Sequence, residues 1–440
     1  MTRPGFLELD RAVAFGILSR TWPVLAAPVT ILLIATRFTP ATQGYYYTFN
    51  SLLALQVFVE LGFAQVIIQF MSHEWARLSL TGDRRITGDP EALSRAAGLA
   101  RMAIRWYGAG GLIAAIGLSI LGYIFFLSAP DQEPWQSPWI FLCVLTGFRL
   151  ALTPFWALLE GSNQVREVYS YRCLEAIITS ITAWTAILLG AGLWTAGIAA
   201  VATASAAVSF LAWRYRNFFL GLLRTPAGAH ISWKKELWPL QWRVALSWLA
   251  GYFVFSFFVP VVFHYHGAED AGRLGLTWNL ASALSAVCAT WTAVRMPQLG
   301  ILVARKDYVE MDHLFRRLSL SSGAVGAAGT AAIWIGVYAL NAAGQPLAGR
   351  LLPPTPTGIF LLASFVMILT YPFSAYLRAH KKEPLLWVSV FGGLATAVIT
   401  ALTAKYSSVT GVALGYLTVN IIAFPVITAI WTRCRSAWHM

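Results

Sequence analysis

Apolar runs long enough to cross a bilayer recur twelve times along this chain. Spanning about 30 Å of hydrocarbon at about 1.5 Å per residue takes about 20 residues. Blocks of that length fall near 14–36, 44–71, 104–127, 138–160, 168–192 and 194–213. A second series follows near 241–264, 274–296, 318–342, 356–378, 385–404 and 409–431. The longest connections, near 72–103 and 214–240, are too short for a soluble domain. The pattern predicts an all-α membrane protein with about twelve transmembrane helices.

The basic residues are not spread evenly over the connections. Of the 32 Lys and Arg, 25 lie on every second connection or in the two tails, and only Arg37, Arg273, Arg350 and Lys405 lie on the opposite ones. This positive-inside bias predicts a multi-pass protein with cytoplasmic N- and C-termini. A net charge of +13 would suggest a nucleic-acid partner in a soluble protein, but here it is a topology signal and no nucleic acid is expected. With 58% hydrophobic and 12% charged residues among 440, an ordinary soluble domain is excluded. The N-terminal run is too long for a cleaved signal peptide and contains Arg20. Cys143, Cys173, Cys288 and Cys434 form no CxxC pair, so neither a disulfide framework nor a metal site is expected.

Six runs, a basic connection and six more runs suggest a duplication. Residues 48–55 read TFNSLLAL and 277–284 read TWNLASAL, so Thr48, Asn50, Ala54 and Leu55 align with Thr277, Asn279, Ala283 and Leu284. Gln69 aligns with Gln298 at the same offset. An even number of crossings per half gives parallel repeats about an axis along the membrane normal, with a substrate site expected at their interface. The expected domains are an N-terminal six-helix half at 1–215, a cytoplasmic basic linker at 216–240, and a C-terminal six-helix half at 241–440 with a short tail.

Candidate chemistry lies in the polar groups within these runs, since a mid-span charge costs about 2.5–3.5 kcal/mol on insertion scales. In the fourth run Thr146, Arg149, Thr153, Trp156 and Glu160 share one helical face, while Phe141, Leu145, Phe148, Leu150 and Leu158 cover the others. Such a stripe reads as the lining of a wet cavity. Gln56 and Glu60 form an i, i+4 pair in the second run, and Arg20 lies deep in the first, with Pro23 and Pro28 after it. Glu60 and Arg149 are also compatible with a structural ion pair, and Arg20 with snorkelling to headgroups. Arg172 and Glu175 read as solvated interfacial charges. Most of the 19 Trp belong to interfacial belts, with Trp156 and Trp278 the cavity candidates. There is no GxxxxGK[ST], no HExxH and no acid in the first outer loop at 37–43, so the chain is not expected to be an enzyme. No catalytic residue, cofactor or metal is assigned.

Two stretches carry a resemblance. GYYYTFNSLLALQVFVELGFAQVIIQFMSHEWA at 44–76 and ALLEGSNQVREVYSYRCLEAI at 157–177 look like bacterial polysaccharide exporters. With its twelve runs, the chain resembles the oligosaccharide flippases of the multidrug/oligosaccharidyl-lipid/polysaccharide exporter superfamily. The resemblance implies two six-helix halves around a central cavity. It further implies movement of a polyprenyl-diphosphate-linked oligosaccharide to the outer leaflet for envelope polysaccharide or lipopolysaccharide biosynthesis. Expected partners are that lipid-linked substrate, membrane lipids and the polysaccharide polymerase machinery. Arg149 and Arg20 are then candidates for the diphosphate, Trp156 and Trp278 for sugar stacking, and Asn50, Gln56, Asn279 and Thr153 for polar contacts. Glu60 would orient Arg149 or relay a proton. The alternatives are a drug/cation antiporter of the same superfamily and a non-transporting scaffold of polysaccharide assembly.

Overall fold

The computed structural model describes residues 6–128, 133–226, 236–380 and 382–439. The chain forms α1 (Phe6–Arg37), then α2 (Pro40–Leu53), α3 (Val57–Glu60) and α4 (Phe63–Trp75), followed by α5 (Pro90–Leu127), α6 (Gln136–Gly161), α7 (Val165–Leu188) and α8 (Trp194–Arg214). After the short α9 (Arg216–Arg224) come α10 (Trp238–Phe255), α11 (Phe258–His266), α12 (Ala268–Arg305), α13 (Tyr308–Ala342), α14 (Pro354–Ala379), α15 (Leu386–Tyr406) and α16 (Val409–Trp438). Among the described residues, eight helices are individually long and apolar enough to cross a membrane, and α2–α4 and α10–α11 each add a bent crossing. With α1 and the more polar α7 the order is that of the twelve apolar runs. The chain is thus an all-α, multi-pass membrane protein with a two-half transporter fold.

Two runs expected to be single helices are broken. The second turns by 46° between α3 and α4, where Leu61 (φ 51°) and Gly62 (φ 65°) adopt the left-handed conformation. Ala54–Gln56 tighten into a 3-10 turn before α3, and Gln56 stands as the N-cap of α3, four residues ahead of Glu60. The seventh run bends by 41° between α10 and α11. The long connection after α4 is also structured: β1 (Leu78–Leu80) and β2 (Ile86–Gly88) make an antiparallel hairpin. Within the expected linker, α9 buries Phe218, Phe219 and Leu222, while residues 227–235, with Lys234 and Lys235, lie outside the described residues.

The helices form two compact units that exchange segments across the expected boundaries. The first comprises residues 1–26 and 53–248, the second 27–52 and 249–440. In the first unit α5 and α6 approach so closely that a Cβ on Gly111 would strike the Gly147 carbonyl, and the reverse also holds. Small residues permit this backbone contact where no hydrophobic effect drives helices together. Glu74 of α4 accepts from Arg95 Nε at 2.7 Å, and Arg95 Nη2 donates to Glu236 at 2.9 Å, which ties the end of α4 to the start of α5 and to the segment before α10.

In the second unit α2 packs on the start of α12. A Cβ on Gly44 would collide with the Ala268 carbonyl, and Gly272 lies against Gly44. Gln43 Nε2 donates to the Gly272 carbonyl at 2.8 Å, a separation of 229 residues, which is the offset of the sequence repeat. The aligned Thr48 and Thr277 are both fully buried.

Candidate functional site

The charged face expected on the fourth run is real, and its partners come from the next helix. α6 ends at Gly161, Asn163 takes a left-handed turn (φ 58°), and α7 returns antiparallel from Val165. This hairpin sets Arg149 and Glu160 of α6 opposite Glu175 and Arg172 of α7. Arg149 Nη2 lies 2.7 Å from Glu175 Oε1, and Arg172 Nη2 lies 2.7 Å from Glu160 Oε2. In both pairs the arginine is the more exposed partner, 46% against 28% and 43% against 17%. The carboxylates sit back against the helices and the guanidiniums project.

Between the two pairs lies an aromatic platform. Trp156 stacks on Tyr171 with ring centroids 4.2 Å apart and an interplanar angle of 15°. Tyr171 donates its hydroxyl to the Thr203 carbonyl of α8 at 3.1 Å, and Phe210 packs beside both rings. The Arg172 guanidinium lies 5.1 Å from the Tyr169 ring, which favours a flat cation held over an aromatic face. Below, Arg214 grips Glu167 with two hydrogen bonds of 3.0 and 3.2 Å. A charge facing hydrocarbon is costly, so half-exposed ion pairs on apolar helices favour a face that meets water or a polar ligand.

The sequence-expected residues divide between the two units. Arg149, Thr153, Trp156, Glu60 and Gln56 belong to the first, and Asn50, Trp278 and Asn279 to the second. Arg20 lies on α1 of the first unit, and its side chain is outside the described set. The pairing of Glu60 with Arg149 is corrected. Arg149 is held by Glu175, while Glu60 accepts from the Tyr107 hydroxyl at 3.4 Å and makes no ion pair among the described residues. Thr153 bonds only weakly to the Arg149 carbonyl, at 3.5 Å. Asn50 is exposed and donates to the Tyr46 carbonyl at 2.9 Å.

Trp278 is half-buried among Phe258, Phe360 and Tyr416, with centroids 5.3–6.3 Å away. Asn279 and Gln56 are also half-buried. Sequence reasoning placed Arg172 and Glu175 in interfacial solvent and set Glu160 on the cavity-lining stripe without giving it a substrate contact. All three join the charged face, and the i, i+3 spacing of Arg172 and Glu175 was the available signal.

Solved structures place this fold. No family model matches the chain, and no curated protein matches it. The inward-facing conformation of a multidrug resistance MATE family transporter of the MOP superfamily is similar at TM-score 0.68 and 14% identity, over 96% of this chain and 98% of the other. Its outward-facing conformation is similar at TM-score 0.62 and 13% identity, over 98% and 96%. A MOP superfamily transporter from Pyrococcus furiosus, described by a binding pocket of reverse polarity that suggests a different function, is similar at TM-score 0.53 and 10% identity, over 98% and 96%. The chain has the fold of these MOP superfamily transporters.

Proposed function

We propose that this protein is a flippase that carries a polyprenyl-diphosphate-linked oligosaccharide from the cytoplasmic to the outer leaflet by alternating access. The bacterial inner membrane is its setting, and the lipid-linked glycan and polysaccharide-assembly enzymes are its partners. The observation that carries this reading is that Arg149 and Arg172 are more exposed than the carboxylates they pair with, on one face of the α6–α7 hairpin. A diphosphate needs cationic lining, because burying bare charge costs several kcal/mol even after relaxation. Arginine supplies that lining with a planar fork matched to phosphate oxygens. The Trp156–Tyr171 stack beside it suits a sugar ring. The likeness to both inward- and outward-facing structures of one transporter supports alternating access.

The test is leaflet exposure of a lipid-linked oligosaccharide in proteoliposomes. Arg149→Ala is expected to abolish translocation and Arg149→Lys to lose about 10-fold or more, since Lys keeps the charge without the fork. A well-folded parent that moves no such lipid sinks the reading. Cation antiport is favoured instead by one observation, the un-ion-paired Glu60 beside the break in the second run. On that reading Glu60→Gln abolishes proton-driven export of an organic cation from the same vesicles, while Arg149→Ala spares it.

A further inference from the structure

The four charges of the α6–α7 hairpin alternate along its face. Glu160 pairs with Arg172, and Arg172 stands one helical turn from Glu175, which pairs with Arg149. Along α6, Glu160 adjoins the turn at 162–164, whereas Arg149 lies about 16 Å farther in at about 1.5 Å per residue. The two pairs are thus stations at different depths on one face.

Each pair is also incomplete as an arginine site. Its ion pair closes through one Nη2 on one carboxylate oxygen, although a guanidinium carries five donors and favours two parallel bonds to a single acceptor group. The Arg172 guanidinium carbon lies 5.1 Å from the Tyr169 ring centroid, and its side chain is 43% exposed, so donors beyond the Glu160 bond are available to a ligand. The less exposed Glu160 and Glu175 are suited to neutralise each arginine while it is idle, since an uncompensated charge at this depth is costly.

We propose that Arg172 and Arg149 are two successive stations for one diphosphate, each occupied at rest by its own carboxylate, which the diphosphate displaces. This rests on the flippase reading. Arg172 receives the diphosphate near the cytoplasmic end, and Arg149 takes it at mid-span. Trp156 lies between Arg149 and Glu160 on α6, half-buried and backed by the buried Tyr171, where the first sugar of the cargo would pass. Glu160 and Glu175 act as competitors for their arginines, and they return each station to its neutral state after release.

Purified protein titrated with farnesyl diphosphate, with inorganic pyrophosphate and phosphatidylglycerol as competitors, tests this. Glu160→Gln and Glu175→Gln each remove a competitor while keeping shape, and each is expected to tighten farnesyl diphosphate binding by roughly 10-fold, equivalent to about 1.4 kcal/mol. In proteoliposomes, Arg172→Ala is expected to raise the half-saturating concentration of lipid substrate, and Arg149→Ala to lower the maximal rate. The proposal is overturned if both Gln variants melt like the parent and bind farnesyl diphosphate equally or more weakly, because the carboxylates are then structural. It is also overturned if phosphatidylglycerol displaces the probe at equal concentration while pyrophosphate does not, since the stations then do not read a diphosphate. A folded parent that binds no farnesyl diphosphate defeats the flippase reading itself, a result distinct from parental binding without a response to the Gln variants.

Discussion

Arg149 and Gly147 sit two residues apart on α6 and answer to different constraints. Gly147 faces the Gly111 carbonyl with no room for a Cβ, so Gly147→Leu must push α5 and α6 apart. Overpacking of this kind costs about 1–3 kcal/mol, and a lowered melting temperature in detergent is the expected reading. Arg149 is visible in the sequence because a charge in an apolar run has few tolerable surroundings. Its partner is not visible in the same way. Glu60 and Glu175 are both acids within reach of an arginine on paper, and only the α6–α7 hairpin decides for Glu175. The choice depends on which helices are neighbours, which local spacing does not encode.

At the scale of elements, the break after α3 shows what apolar text conceals. Leu61 and Gly62 lie within an uninterrupted hydrophobic run, yet both are left-handed, and Gln241 of α10 donates to the Leu61 carbonyl at 2.7 Å. A Cβ on Gly62 would meet Val244 in addition to adopting a strained φ. Gly62→Ala is therefore expected to destabilise by about 1 kcal/mol or more, measured by thermal unfolding in detergent.

The start of α13 and the ends of α14 and α16 form another device beyond the reach of periodicity. Asp312 accepts bonds of 2.5 and 3.1 Å from Arg435 and one of 2.9 Å from the Tyr376 hydroxyl. His439 stacks on Tyr308 at 3.9 Å and lies 5.5 Å from His380, which also faces Trp438, with Lys382 over that indole. Burial lowers His380 below its ordinary 6.5, aided by the Lys382 charge and opposed by the Tyr376 carbonyl. Burial and then His380 lower His439, with Arg435 adding to the effect and Asp312 opposing it. Burial alone would raise Asp312, but the bonds from Arg435 and Tyr376 bring it below 3.8.

Below pH 6.5 the unfolded histidines bind protons that the folded ones refuse, so stability falls on acidification. Asp312 acts in the same direction at lower pH, since its depressed value makes stability drop as pH falls through the carboxylate range. The melting temperature is expected to decline from pH 7.5 to 5.5. The double variant His380→Phe, His439→Phe should flatten that slope, and an unchanged slope would remove this cluster as its cause.

For the whole molecule, the charge asymmetry makes a prediction about sidedness. Cys143, Cys173 and Cys288 are buried, while Cys434, near the end of α16, is partly exposed. A membrane-impermeant maleimide is expected to label Cys434 in inverted vesicles but not in intact cells, and Cys434→Ser should abolish the signal. Labelling from the outside would overturn the cytoplasmic C-terminus. The exchange of segments between the two units, with residues 27–52 packing in one and 241–248 in the other, crosses the boundaries that the duplication suggested.

The sequence by itself determined that the chain is an all-α, multi-pass membrane protein and that one face of α6 is charged, and its pattern predicts about twelve crossings in two related halves. These follow from transfer free energies and helical period, which each residue carries wherever it lies. The register of the repeat was legible for the same reason, in Thr48, Asn50, Thr277 and Asn279. Only the tertiary structure decided that Arg149 pairs with Glu175 and Arg172 with Glu160, that the second run breaks at Leu61–Gly62, and that Gln43 reaches Gly272. Those outcomes depend on which segments become neighbours, and packing among apolar helices is set by shape complementarity over long sequence separations rather than by local pattern.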